Sequence, residues 1–435
     1  MLATFRQRDF SLLWFAGLIS MIGNWMLSVA LPVAVYQMTE STLAIGGMLL
    51  SRTIPAILFS SVAGVYVDRW ERRRTMVVVN LLLAASILPL LLVRSPEWLW
   101  LIYLVSAVQS TLGQFFGPAE NAMLPLLSKP ELLVSANALN ALNNNLARLI
   151  GPAVGGLVAP LLGLDGVVAF DVITYLVAAL LIALISVTSH PGKQKNDKTS
   201  GAFNLRHIFD EWAEGMRFIW RDRTVRILFF LQAIPSIGES VMSVLFVPFV
   251  TEILRGGTEH VGGLMSSQAV GGLIGGALIS TIAPRVKTAR LLGWSAVLFA
   301  LADFGLFNYF QFSSSILFAY GFILLAGPLA VGMGASYNTL IQENVADSHR
   351  GRVYGAFGLT SSVFTLVGIA LGSFGGDTFG IVPVINIQAY GYLLIGIICL
   401  LAFREGVARR ADIAAKAKTI PLAGNLEGDL AEAVD

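Results

Sequence analysis

GVYVDRWERRR, residues 64–74, closes a long apolar run and turns abruptly polar. Asp68 comes first, followed by Arg69, Arg72, Arg73 and Arg74. Basic residues hard against a hydrophobic segment mark a cytoplasmic loop, because Lys and Arg bias the orientation of the neighbouring spans. Apolar runs continue outward from this point in both directions. The 435 residues are 55% hydrophobic and 13% charged, with mean hydropathy +0.73. A water-soluble domain carries about 25% charge. This composition therefore excludes a soluble globular fold and implies an all-α membrane protein.

A crossing helix needs about 20 mainly apolar residues. Such runs fall at ~10–38, ~42–66, ~75–94, ~98–125, ~133–161 and ~166–188. After a polar stretch they resume at ~224–252, ~260–283, ~290–311, ~314–339, ~351–375 and ~381–403. Twelve predicted transmembrane helices put both termini on one side. Charge decides which side. Arg6, Arg8, the 69–74 cluster, Lys129 and the Lys and Arg of 193–226 share one face with Arg285, Lys287, Arg290, Arg350, Arg352 and the basic tail. The opposite face has only Arg94 and Arg255, so both termini are predicted to be cytoplasmic and the protein to sit in the inner (plasma) membrane. The opening MLATFRQRDFSLLWF reads as part of an uncleaved first helix, since its apolar run continues for a full span.

The predicted organisation is an N-terminal six-helix bundle (1–190), a cytoplasmic linker (191–223), a C-terminal six-helix bundle (224–404) and a disordered tail (405–435). Within the linker, Leu205, Ile208, Phe209, Trp212, Met216 and Ile219 recur at helical spacing between charged residues. That pattern predicts an amphipathic helix lying on the inner leaflet. A partner-binding helix is the alternative. The two halves also look like copies: the pairs Asn121 and Asn338, Gly151 and Gly368, and Gly155 and Gly372 are all separated by the same interval along the chain. Parallel repeats of this length occur in transporters whose site lies between two bundles near the bilayer midplane.

The Gly64-x-x-x-Asp68-Arg69-x-x-Arg72-Arg73 pattern resembles the signature loop between helices 2 and 3 of the major facilitator superfamily. The resemblance covers nearly the whole chain, from FRQRDF through the last span. Gly151, Pro152, Gly155 and Gly156 resemble the Gly-Pro-x-x-Gly-Gly motif of antiporters in that superfamily. SMIGNWMLSVALPVAVYQMT (20–39) resembles the first helix of its macrolide-efflux and enterobactin-exporter branch, and AMLPLLSKPELLVSANAL (122–139) and ADSHRGRVYGAFG (346–358) fit as well. The resemblance implies two pseudo-symmetric six-helix bundles that alternate access, with helices 1, 4, 7 and 10 lining a cavity. It further implies that Asp68 touches neighbouring helix ends and, with the arginines, latches the cytoplasmic side. Two positions depart from the family pattern. Glu71 replaces a glycine or small residue, and Asn24 stands where many relatives have aspartate. An amide carries no proton, so coupling at that place has moved or is absent.

Charged residues at membrane depth are costly and are functional candidates by default. Glu239 lies about fifteen residues into the seventh span, near mid-bilayer at ~1.5 Å per residue. It is the preferred proton-coupling group, with a structural partner for a buried arginine as the alternative. Arg52 on the second span and Arg148 on the fifth are those arginines. Asn137, Asn144 and Arg148 share a helix face with Asn140 close by, and Arg148 has Glu239, Asp303 and Asp171 as possible partners. Asp303 and Asp171 read more readily as structural, and Glu120 is expected near the cytoplasmic surface. Gln109, Gln232 and Gln268 are candidates for hydrogen bonds to substrate. Trp25, Tyr36 and Phe246 are candidate aromatic walls, although lipid contact or helix packing accounts for each alone.

The sequence has no Gly-x-x-x-x-Gly-Lys-Ser/Thr phosphate loop. Its four histidines form no helical metal pair, and Cys399 is its only cysteine. No nucleophile-and-base pattern stands out. The expectation is therefore a monomeric secondary active transporter, not an enzyme, with no cofactor, metal or nucleic acid. It would export an amphipathic drug or siderophore-like metabolite by alternating access and proton antiport, in contact with membrane lipids. A lipid or lysolipid flippase on the same fold, or a non-transporting sensor or scaffold, are the alternatives.

Overall fold

The computed structural model describes residues 2–67, 69–187, 212–213, 216–217, 219–221, 223–345 and 347–419. Asp68, most of the linker and the end of the tail lie outside the described residues. After one helical turn, Leu2–Phe5, come α1 (Arg8–Thr39), α2 (Thr42–Val67), α3 (Arg72–Ile87) and α4 (Leu99–Leu127). A helical run then extends from Leu133 to Ala183. It is followed by α7 (Arg223–Pro248), α8 (Thr258–Ile282), α9 (Thr288–Asn308), α10 (Leu317–Asn344), α11 (Asp347–Phe379) and α12 (Ile381–Thr419). Eleven of the described helices are long and apolar enough to cross a membrane. Helix is the form such runs take in hydrocarbon, where every backbone N–H and C=O must find its partner within the segment. Large apolar side chains stand exposed along most of these helices, as suits a surface facing lipid.

The Leu133–Ala183 run is where local sequence breaks a helix. Its 51 residues would span about 76 Å unbroken, against a hydrocarbon core of about 30 Å. The break is at Gly163, with φ 66° and ψ −171°, a conformation open essentially only to glycine. Two arms result, α5 (133–162) and α6 (164–183). Gly380, at φ 86°, makes the corresponding break between α11 and α12. α12 continues as helix beyond 403, the predicted end of the last span.

Helices before residue 187 pack mainly on one another, as do those after 223. Two seams cross between these groups, α5 on α8 and α2 on α11. The internal repeat is visible as packing. A Cβ on Gly155 would come within 2.9 Å of Met26 Cα on α1, and one on Gly372 within 3.2 Å of Val241 Cα on α7. Likewise Gly151 meets Ile22 and Trp25, and Gly368 meets Ile237 and Ser240. Ile22 and Met26 on α1 are spaced from Ile237 and Val241 on α7 by one common interval, as the two glycine pairs are by theirs. The α5-on-α1 contact thus recurs as α11-on-α7 in the same register.

Only part of the predicted linker helix falls within the described residues. Of the predicted amphipathic helix, the described residues Trp212, Met216 and Ile219 pack with Leu228, Phe229, Leu340, Ile341 and Val353. Ile219 is fully buried there.

Candidate functional site

A cavity of about 880 Å³ lies between the halves, within the range for sites that enclose a drug-sized ligand. α1, α2 and α4 form most of its wall, and Ser361, Ser362 and Thr365 of α11 close the far side. Its floor includes Leu31, Pro32, Met48 and Leu49. The glycines show which way it opens. On α2 an added Cβ at Gly46 or Gly47 would strike Ser373 or Tyr103, whereas at Gly64 it would meet nothing within 4 Å. Gly113 and Gly117 on α4, Gly334 on α10 and Gly351, Gly355 and Gly358 on α11 also face open space. Gly327, earlier on α10, and Gly368, Gly372 and Gly376, later on α11, are crowded, while Gly321 near the start of α10 is open. The halves thus part at the end carrying the 69–74 basic cluster and meet at the other.

The closed end is held by polar contacts across the halves. The Tyr36 hydroxyl at the end of α1 donates to Glu252 beyond α7. Asp377 on α11 accepts from the Ser41 hydroxyl at 3.0 Å, the Thr42 N–H at 2.9 Å, the Thr42 hydroxyl at 2.7 Å and the Leu43 N–H at 3.4 Å. A carboxylate capping the first turn of α2 gains both these charge-assisted bonds and the helix dipole. Tyr36, expected as an aromatic wall, belongs to this seal.

The eight predicted polar candidates occupy separate places. Asn24, Arg52 and Gln109 share the cavity wall with Asn144. Gln109 donates to Leu83 O and Ser86 Oγ, each at 2.9 Å, and accepts from the Tyr175 hydroxyl at 3.3 Å. Arg148 instead donates to Gln268 Oε1 at 3.0 Å across the α5–α8 seam, so none of its three suggested acidic partners holds it. Glu239 and Asp303 form a third group within the second half. Tyr392 donates to Glu239 Oε1 at 2.7 Å, and Gln388 donates to buried Asp303 at 2.9 Å. Gln232 is half-buried on α7 and joins none of these groups.

Glu120 has the depth expected of it but faces the cavity. Its Oε1 is 3.2 Å from where a Gly17 Cβ would lie. Asn80 and Tyr175 on the wall, and Tyr392 and Gln388 in the second half, are further polar groups that spacing alone did not single out. One signal was present. Ile22-Gly23-Asn24 followed by Ser28-Val29 recurs in the second half as Ile237-Gly238-Glu239 followed by Ser243-Val244, with the same internal spacing. In the fold Gly23 abuts Asp171 and Thr174 on α6, and Gly238 abuts Gln388 on α12. Gln388 follows Asp171 by the interval that relates Gly372 to Gly155, and Tyr392 follows Tyr175 by the same interval. Asn24 and Glu239 are therefore repeat equivalents, as are Tyr175 and Tyr392.

In the 64–74 stretch, Glu71 caps α3, its Oε2 accepting from the Arg74 N–H at 3.2 Å. That explains the residue's departure from the family pattern by an ordinary capping role. Arg72 donates to Ala122 O at 3.3 Å near the end of α4, and Arg73 to Ile185 O just past α6. Both are contacts within the first half, of guanidinium groups with the negative ends of helices. Arg69 is exposed, and Asp68 lies outside the described residues. Gly151 and Gly155 serve the close approach of α5 to α1. Pro152 and Gly156 serve the α5–α8 seam, where Gly156 would place a Cβ 3.2 Å from Gly262 Cα.

A bundle of apolar helices around a polar-lined cavity, open at one end and sealed at the other, defines a multi-pass membrane transporter. The sequence profile of the Major Facilitator Superfamily matches residues 13–369, and the chain belongs to that family. Among its relatives, macrolide efflux protein A of Streptococcus pyogenes is 22% identical, over 90% of this chain and 95% of that protein. The multidrug efflux pump Tap of Mycobacterium tuberculosis is 28% identical, over 93% and 95%. Among solved structures, a bacterial homologue of the iron transporter ferroportin in the inward-facing state superposes with TM-score 0.71 at 16% identity, over 90% of this chain and 98% of that one. The outward-facing state of a bacterial ferroportin homologue gives TM-score 0.57, over the same shares.

Proposed function

We propose that the protein is a secondary active exporter of amphipathic small molecules, working by alternating access and driven by proton antiport. The observation that carries this reading is the polar and apolar cavity, open at the basic end and closed by cross-half contacts at the other. With the basic end cytoplasmic, this is the state that receives substrate from inside, and the better superposition on an inward-facing structure supports it. On this reading α5 and α6 are separate crossings, giving twelve, with both termini on the cytoplasmic side of the inner membrane. Residues 1–190 and 224–404 are the two bundles that rock about the cavity, joined by 191–223 and followed by the 405–435 tail. Asp68, Arg69, Arg72 and Arg73 form the cytoplasmic latch. Efflux by the relatives supports the direction of transport. Glu239 carries the proton, because its repeat equivalent on α1 is the amide Asn24.

Everted inner-membrane vesicles energised by respiration test this reading. Lipophilic drugs and siderophores are added in turn, and the interior-acid gradient is followed by a fluorescent amine. Collapse of the gradient with at least one compound, absent in vesicles lacking the protein, is the expected result. A gradient indifferent to the whole panel overturns proton-driven export.

Alternating access also makes the Asp377 cap a gate. Asp377→Ala removes four bonds to the start of α2 and is expected to shift the balance toward the outward-open state by about 2 kcal/mol, roughly 30-fold. The check is labelling of Met48→Cys on the cavity floor, in a Cys399→Ser background, by an impermeant maleimide supplied from outside. Labelling should quicken with Asp377→Ala. An unchanged rate rules the cap out as a gate.

A further inference from the structure

Among the described residues, the charged groups lining the cavity are two, Arg52 and Glu120. They stand far apart. Arg52 is ten residues into α2 from the closed end and Glu120 twenty-one into α4 from that end. The depths are therefore about 15 and 31 Å at ~1.5 Å per residue. Arg52 is deep, at about mid-bilayer, and Glu120 is near the mouth.

The guanidinium of Arg52 has no salt bridge among the described residues. Only its backbone is engaged there, its carbonyl accepting from the Ser110 hydroxyl at 2.6 Å. The Tyr175 hydroxyl on the same wall donates to Gln109. Arg52 is nevertheless exposed to the cavity space. A cation at this depth is costly unless an anion meets it, and a guanidinium presents a fork that fits a carboxylate or phosphate with two parallel bonds. The described residues supply no such anion. Arg52 shares the cavity lining with the amide and hydroxyl groups of Gln109 and Ser110 and with the apolar floor of Leu31, Met48 and Leu49.

We propose that the cavity selects amphipathic organic anions, seating a carboxylate or phosphate head on Arg52 and the apolar body along the α1 and α2 floor. The proposal rests on the cavity being the transport site. Such an anion has two sources, a soluble acylated acid and a single-chain lipid, and Arg52 meets the same chemistry in both. The apolar floor of Leu31, Met48 and Leu49 offers no contact to small, fully hydrated anions. The selection therefore requires a body as well as a head.

The test is equilibrium binding to the purified full chain in nanodiscs of phosphatidylcholine. Three probes share one acyl chain: N-lauroylglycine is anionic, its methyl ester neutral and lauroylcholine cationic. The anion is expected to bind about tenfold more tightly than either other probe, the scale of one charge-assisted contact. Arg52→Gln should bring the anion to within about twofold of the ester with ester binding unchanged, and Arg52→Lys should keep part of the preference. Equal binding of the three probes to the native chain, or a preference that survives Arg52→Gln, overturns the proposal. Lauroyl lysophosphatidate added to the panel names the source, since tighter binding of either it or N-lauroylglycine supports an anion-selective seat. Unchanged ester binding and melting temperature show that Arg52→Gln is folded. The assay uses no gradient. Anion selection without translocation would leave this site standing and sink export, and drug-driven gradient collapse without anion selection would do the reverse.

Discussion

Glu239→Gln is expected to lower proton-driven transport by about 100-fold or more, the scale on which a positioned proton-transferring group contributes. The amide has nearly the same volume and can still meet the Tyr392 hydroxyl that donates to Glu239 at 2.7 Å. Only the proton is lost. Substrate exchange down its own gradient needs no proton and should persist in the same preparation. That contrast separates a coupling role from a structural one: a collapsed α7–α12 contact would lower both. The repeat offers a second check. Asn24 occupies on α1 the place that Glu239 occupies on α7, so adding Asn24→Asp to Glu239→Gln returns a carboxylate to the other half. Partial recovery of gradient-driven transport is expected. Driven transport that is untouched by Glu239→Gln would refute the coupling assignment outright, and Asp303, fixed by Gln388, would be the next carboxylate to test.

Gly155→Leu is expected to reduce stability by about 1–3 kcal/mol or more, seen as a lower melting temperature and less folded protein in detergent. A Cβ there would sit 2.9 Å from Met26 Cα and 3.0 Å from Met26 O. Those are backbone atoms of α1 and cannot move without moving the helix. Small residues at such contacts let two helices pack backbone to backbone in a membrane, where no hydrophobic force drives them together. Gly372→Leu should cost a similar amount, because its Cβ would meet Val241 Cα and the Val244 side chain in the equivalent α11–α7 contact. Gly64→Ala is the control. It alters the signature loop but meets nothing within 4 Å, so it should leave the melting temperature nearly unchanged. A Gly155→Leu protein as stable as its parent would show that the α5–α1 approach is not rigid.

Much of the architecture was legible because in a bilayer local sequence and tertiary demand agree. An apolar run must be helical wherever it packs, so the all-helical membrane class could be read without knowing which runs are neighbours. The Gly151 and Gly155 pattern marked close packing, although only the fold showed that α1 is what approaches. The cavity was less legible. Asn24, Arg52 and Gln109 come together there, yet Arg148 is drawn off to Gln268 and Glu239 to Tyr392. Each of these partners lies far along the chain, and a one-dimensional polar pattern does not say which helix faces which.

Glu120 shows the same limit. Its distance from the end of α4 placed it near water, but the parting of the halves decides whether that depth is solvent, lipid or cavity wall. By itself the sequence determined a helical membrane protein with a basic face, an internal repeat and a signature loop, because composition and runs of about 20 apolar residues act locally. The tertiary structure alone decided which end is open, that Asp377 and Tyr36 seal the other, and that Arg52 meets no anion among the described residues. Those properties depend on how two halves of one chain lie against each other, and no stretch of either half encodes that arrangement alone.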